Sequence, residues 1–152
     1  PEGTLEAVSA EIVLASGNAG KLAELRPLFA SRSLQLRPQG DFGVGPGPEE
    51  APTFVENALS KARHVARATG RPALADDSGL IVPALDGAPG VRSARFAGED
   101  AQDADNNALL LERMAGVADR RARCVGAVGG AVTVAPIVCL PGGGRSPPVE
   151  RR

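Results

Sequence analysis

Apolar residues along the chain come in short runs separated by Gly- and Pro-rich turns, and their spacing alternates between strand-like and helix-like. Glu11-Ile12-Val13-Leu14-Ala15 is short, apolar and β-branched at its centre, which predicts a buried strand. Ser16 to Gly20 is a turn cluster, after which Leu22, Leu25, Leu28 and Phe29 recur at helical spacing. Pro27 falls inside that run, so a kink or a fresh turn is expected there. Leu34 to Arg37 alternates as a second strand, and Pro38 to Pro52, rich in Gly and Pro, reads as a loop.

The helix that follows is signalled at both ends. Thr53 and Glu56 have the spacing of a capping box, in which each side chain satisfies a backbone N–H of the other. Phe54, Ala58, Ala62, Val65 and Ala66 form its apolar stripe, and Gly70 supplies the stop. Pro72 to Ala75 predicts a strand that kinks at Asp76-Asp77-Ser78-Gly79 and resumes through Leu80-Ile81-Val82. Gly87 to Gly98 reads as a loop, Asp105 to Met114 as a third helix stopped by Gly116, and Arg121 onward as a strand that then loses definition. Strands alternating with helices predict an α/β domain, with no internal repeat and no dividing linker. The expected organisation is a flexible segment over 1–10, one α/β domain over 11–135, and a Gly/Pro/Arg-rich tail over 136–152 without fixed structure.

Composition acts mainly by exclusion. A length of 152 residues suffices for one domain with its own core. Lys+Arg number 17 against 18 Asp+Glu, so no basic field exists to attract nucleic acid. Aromatic residues make up 3%, without Trp or Tyr, which argues against a surface that stacks single-stranded bases. Cys124 and Cys139 match neither a metal spacing nor a disulfide framework, and a reduced, cytoplasmic setting follows. Pro1 to Ala10 has no apolar core of a signal peptide. The uncharged stretch Cys124 to Gly144 is broken by Gly and Pro, so no membrane partner is expected either.

Three places carry candidate chemistry. Ser16-Gly17-Asn18-Ala19-Gly20-Lys21 lies between a strand and a helix, where glycines admit an anion and the helix start offers free N–H groups. Lys21 sits in a first turn that structure alone would fill with an acid. Spacing excludes a Walker A loop, because only two residues separate Gly17 from Gly20 and Leu22 stands where Ser or Thr belongs. An ordinary Gly-rich βα turn accounts for the same residues equally well. Asp76 and Asp77 are adjacent carboxylates in an apolar neighbourhood, costly without a partner, and Mg²⁺ is the natural one. A carboxylate there could also take a proton from attacking water; a solvated Asp-rich turn is the alternative. Taken alone, Glu49-Glu50 and Lys61 read better as solvated surface, His64 lacks a second histidine or cysteine for catalysis or metal binding, and Arg92 and Arg95 could meet phosphate or as readily face solvent.

Taken together, the segments resemble the inosine/xanthosine triphosphate pyrophosphatase family. Residues 12–21 are similar to its N-terminal signature; Thr53 to Ala58 with Lys61-Ala62-Arg63 to its second block. Ala75 to Leu80, continued by Gly87 to Val91 and Ser93-Ala94-Arg95, is similar to the third, and Asp105-Asn106-Asn107 to the fourth. The related Maf-like pyrophosphatases favour Ser-Pro-Arg in the first loop, against Ser16-Gly17-Asn18 here. The resemblance implies an α/β fold with a mixed twisted sheet flanked by helices. It also implies Mg²⁺-dependent hydrolysis of ITP, dITP or XTP to the monophosphate and pyrophosphate, in a homodimer. It implies that Ser16, Gly17, Asn18, Ala19, Gly20, Lys21, Lys61 and Ser78 bind substrate and that Asp77 is the general base. Asp77, Asp76 and either Glu49 or Glu50 would be the metal carboxylates. The resemblance stops after Arg123: Val125 to Arg152 holds neither the Phe-Gly-Tyr-Asp nor the Ser-His-Arg motif that reads the purine. A truncation or frameshift near Cys124 is expected; the reading is then an active pyrophosphatase with normal or loosened base selectivity, and the alternative is a catalytically impaired remnant that binds nucleotide or only dimerises.

Overall fold

The computed structural model describes residues 10–132. The expectations for residues 1–9 and for the tail over 136–152 therefore lie outside the described residues. Strand β1 (Ala10–Leu14) leads into helix α1 (Ala19–Ala30) and strand β2 (Leu34–Pro38). Helix α2 (Phe54–Thr69), strand β3 (Ala73–Ile81), helix α3 (Asp103–Arg113) and strand β4 (Arg123–Ala131) follow. Short 3-10 turns at Gln39–Phe42, Pro83–Leu85 and Gly90–Arg95 punctuate the two long connections. The four strands form one sheet in the order β2-β1-β3-β4, parallel except for the β3–β4 pair, so the expected mixed α/β architecture is met.

The chain leaves β1 through α1 to β2 on one side and returns through α2 to β3 on the other. Helix α2 covers the face carrying Val13, Ala15, Ala73 and Ala75, against which Ala62, Val65 and Ala66 pack as a buried cluster. Alanines at these contacts bring the helix backbone close to the sheet. At Gly129 a Cβ would stand 3.0 Å from the Leu59 amide nitrogen, so glycine is what the approach requires. The N-terminus of α2 is capped as read: the Glu56 N–H donates to Thr53 Oγ1 at 3.2 Å, a bond worth about 1 kcal/mol. The return half differs from the expected box, since the Glu56 carboxylate accepts from the Thr53 hydroxyl at 2.7 Å. Gly70 ends the helix in the left-handed conformation at φ 66°.

Three further expectations are corrected. Helix α1 runs unbroken past Pro27 to Ala30, and Leu28, counted in its apolar stripe, is 58% exposed. Strand β3 has no kink at its acidic residues. It pairs with β4 at each position from Ala73↔Ala131 to Ile81↔Arg123, and that continuous ladder holds it extended. Definition is not lost at Cys124 either, because β4 extends to Ala131 on the same ladder. Glu11 ties the sheet across its start. It accepts from Arg71 at 3.0 Å and from Arg37 at 2.9 Å, and these bonds, Arg71's first, hold its carboxyl below the ordinary value. Among the described residues no helix is long and apolar enough to cross a membrane.

Candidate active site

Strand β1 pairs with β3 only at Val13↔Ala73 and Leu14↔Leu74, so β3 runs on past the carboxyl end of β1. The crevice left there lies where the connections from β1 diverge to opposite sides of the sheet. In open α/β sheets that is the usual place for a ligand. The loop after β1 and the acidic part of β3 both border it.

In the loop, Ser16 Oγ accepts from the Asn18 N–H at 3.1 Å, and Asn18 Oδ1 caps α1 by accepting from the Lys21 N–H at 3.1 Å. Asn18, which sequence reading treats as part of an anion loop, is thus also the helix cap. Gly17, Asn18, Ala19 and Gly20 are exposed, and a Cβ on Gly17 would meet nothing within 4 Å, so the backbone is open to an approaching group. The Lys21 ammonium reaches across to Asp76 Oδ2 at 2.5 Å.

Because β3 is continuous, its side chains alternate between faces. Ala73 and Ala75 point to α2, as does Asp77; Leu74 and Asp76 point to the α1 side, where they line a pocket with Lys21, Leu14, Leu25 and Val128. The two adjacent aspartates therefore do not form one cluster. On the α2 face, the Lys61 ammonium lies 2.6 Å from Glu49 Oε1 and 3.3 Å from Asp77 Oδ1. Asp77 Oδ2 is buried without a hydrogen-bond partner, as is Asp76 Oδ1 on the other face. Glu50 is exposed and makes no ion pair among the described residues, and Ser78 is exposed on the Asp76 side of the strand. His64, on the turn of α2 after Lys61, lines a separate surface pocket with Arg63 and Arg67.

Four further residues shape this region: Arg95, which sequence reading leaves open between a phosphate contact and a solvated surface, and Asn57, Ser93 and Asn106, which it places in the family-like blocks without a role. Arg95 donates from Nη1 to Glu49 Oε2 at 3.2 Å and from Nη2 to the Glu49 carbonyl, so it grips both side chain and backbone. Asn57 is fully buried and holds the backbone of Ala51: its Oδ1 accepts from the Ala51 N–H at 2.9 Å, and its Nδ2 donates to the Ala51 carbonyl at 3.2 Å. Asn106 does the same for the Arg95 segment, accepting from the Ala97 N–H at 2.8 Å and donating to the Ala94 carbonyl at 3.0 Å. Ser93 Oγ accepts from the Leu80 N–H at 2.8 Å and donates to the Gly90 carbonyl at 2.6 Å. It sits so close to β3 that a Cβ on Gly79 would fall 2.6 Å from Ser93 Oγ. The advance signals were a polar asparagine inside a helix and, for Ser93 and Arg95, their place in the third family-like block. A cleft of about 750 Å³ opens beside Glu49, lined also by Glu50, Arg92, Arg95 and Glu99; Asp77 and Lys61 do not line it.

Among the described residues no three His, Cys, Asp or Glu side chains are grouped so as to hold a metal ion. Mg²⁺ does not need such a group, since it is commonly bound through one or two carboxylates together with substrate phosphates and water. Glu49 and Asp77, with the partnerless Oδ2 of Asp77, are a hard-oxygen pair that fits that mode.

Comparisons with known proteins place the chain in a family. The Ham1 family profile matches residues 12–142. A dITP/XTP pyrophosphatase of Chromobacterium violaceum is 62% identical over 112 residues, which cover 74% of this chain and 57% of that protein. One of Aromatoleum aromaticum is 59% identical over 115 residues, covering 76% and 58%. The structure of a HAM1 protein from Coxiella burnetii superposes with a TM-score of 0.73 at 46% identity, over 80% of this chain and 62% of that one. The chain thus matches a little over half the length of these curated relatives. With the family profile covering most of the chain and the fold shared with a HAM1 protein, the chain belongs to the Ham1 family.

Proposed function

We propose that this chain carries the triphosphate- and metal-binding part of a pyrophosphatase acting on non-canonical purine nucleoside triphosphates, dITP or ITP and XTP. The products are the nucleoside monophosphate and pyrophosphate, and the role is sanitation of the nucleotide pool. The observation that carries this reading is the partly buried Glu49–Lys61–Asp77 group on the strand that runs past the end of β1, together with the exposed loop after β1, of the kind that takes phosphate.

In this reading the exposed backbone of Ser16 to Gly20 and the Lys21 ammonium hold phosphate oxygens, as the positive end of α1 favours. Ser78 lies on the open edge of the same strand and contacts substrate. Asp77 accepts a proton from the water that attacks the α-phosphorus. The bond to the bridging oxygen breaks, and pyrophosphate leaves with that oxygen. Its free Oδ2 is the acceptor available for that proton. Lys61 neutralises charge that builds on the phosphates. Glu49 and Asp77 would hold Mg²⁺, which supplies charge stabilisation when bound. Glu49 is preferred to Glu50 because only Glu49 is drawn into the group, by Lys61 and Arg95. Asp76 serves as the counter-charge that orients Lys21, with a metal role through its free Oδ1 as the lesser alternative. A cytoplasmic homodimer is the setting that accompanies the reading.

A second reading, a chain that binds nucleotide without turning it over, is favoured by one observation. The sheet face opposite α2 is bare at Val128, which is 72% exposed beside Asp76. Pyrophosphate release from ITP, XTP, dITP and ATP with Mg²⁺ decides between them. Release from the first three supports the enzyme; none from a folded protein that still binds nucleotide supports the second reading.

A further inference from the structure

The gap between Glu49 and Asp77 is filled by the chain itself. The Lys61 side chain is 13% exposed, and its ammonium contacts one oxygen of each carboxylate. Each carboxylate is otherwise differently placed. Glu49 is gripped from outside the gap by Arg95, through Oε2 and the backbone carbonyl, so its position does not depend on Lys61. Asp77 is fixed by the β3–β4 ladder, and its second oxygen is buried with no partner. Lys61 is the one member of the group on a long flexible stem.

A divalent cation that ligated both carboxylates would sit about 2.0–2.1 Å from their oxygens. The ammonium already occupies the space between those same oxygens, and two cations sharing them would repel strongly in a partly buried site. We infer that Lys61 is a built-in counter-ion for the Glu49–Asp77 pair, displaced from between the carboxylates by the entering divalent cation. Displacement swings the ammonium out of the gap and frees it for an anionic group. Resting on the pyrophosphatase reading, this makes Lys61 the coupling between metal loading and phosphate binding: the ammonium that meets phosphate is released by the metal. It also explains why a carboxylate pair that fits a metal is neutralised without one.

Mn²⁺ binding to the protein without nucleotide, followed by the electron paramagnetic signal of the free ion, tests the inference. Lys61→Met should bind Mn²⁺ at least about tenfold more tightly than the unsubstituted protein. Arg95→Met removes a cation from the same Glu49 but not from the gap, and also loosens the hold on Glu49, so it should leave the affinity unchanged or lower it, without tightening. Equal tightening in both variants would reduce the effect to net charge, and no tightening in Lys61→Met would overturn it outright. Should Lys61→Met fail to fold, the unsubstituted protein serves. Lys21 and Lys61 are the only lysines, so ¹³C-methylation gives two resolvable lysine signals. Saturating Mg²⁺ should move that of Lys61 far more than that of Lys21; an unmoved Lys61 signal overturns the inference. None of these measurements involves nucleotide, so their failure leaves pyrophosphate release standing, and its failure leaves them standing.

Discussion

Asp77 has one oxygen 3.3 Å from Lys61 and the other buried without a partner. A buried carboxylate oxygen left unbonded is costly in a folded protein, so it marks a position kept for an incoming donor. In the pyrophosphatase reading, the attacking water is that donor. In a preparation that releases pyrophosphate, Asp77→Asn should lower kcat by about 10²–10⁴, the range for loss of a positioned base. Nucleotide affinity measured without metal should stay nearly unchanged, because the amide keeps the shape of the carboxylate. Steady-state pyrophosphate release and a nucleotide titration check both halves, and unchanged turnover would remove Asp77 from the chemistry. Legibility at this scale was uneven. The residue types stood out in the sequence, but adjacency made Asp76 and Asp77 look like one cluster when strand alternation puts them on opposite faces. Glu49 and Glu50 could not be separated at all, because what distinguishes them is Arg95, which is 46 residues away along the chain.

At the scale of elements, the site depends on two irregular segments being held still. Neither the Pro/Gly-rich segment carrying Glu49 nor the turn carrying Arg95 is part of a helix or strand that would fix it. Each is clamped by a buried asparagine on a neighbouring helix, Asn57 on α2 and Asn106 on α3. Asn57→Ala would leave the Ala51 N–H and carbonyl without their partners, at a cost of about 1–3 kcal/mol. Urea unfolding should register that loss as a lower midpoint at unchanged slope. Mn²⁺ affinity should fall as well, since Glu49 lies just before the unclamped residue; an unaltered midpoint would show that the clamp is incidental. Helix α2 was readable in advance because caps and stripe are local signals: Thr53, Glu56 and Gly70 each act within a turn or two. The kink assigned to β3 was not a misreading of its residues. Acidic residues and glycine do favour bends, but β4, some fifty positions on, holds them extended through the ladder. The clamps leave no periodic trace either, since each is a pair of hydrogen bonds from one helical asparagine to a loop backbone 6 to 12 positions away.

For the molecule as a whole, the sheet separates two sets of charges. Lys21 and Asp76 pair on the α1 side, while Glu49, Lys61 and Asp77 group on the α2 side. The crevice past the end of β1 is where both sides are reached at once, so a triphosphate lying over it can meet a cation from each. Substitutions on opposite faces with no shared partner should act independently. Lys21→Met removes one charge-assisted phosphate contact, typically about 1.5–3 kcal/mol, and leaves Asp76 as an unpaired anion. Nucleotide affinity should therefore fall by about ten- to a hundredfold. Mn²⁺ affinity without nucleotide should be unchanged, because Lys21 touches neither Glu49 nor Asp77. Paired titrations of the same preparation with nucleotide and with Mn²⁺ give both numbers. A Lys21 variant that alters Mn²⁺ binding as strongly as a Lys61 variant would mean that Asp76, not the sheet, connects the two sets, and would return Asp76 to the metal.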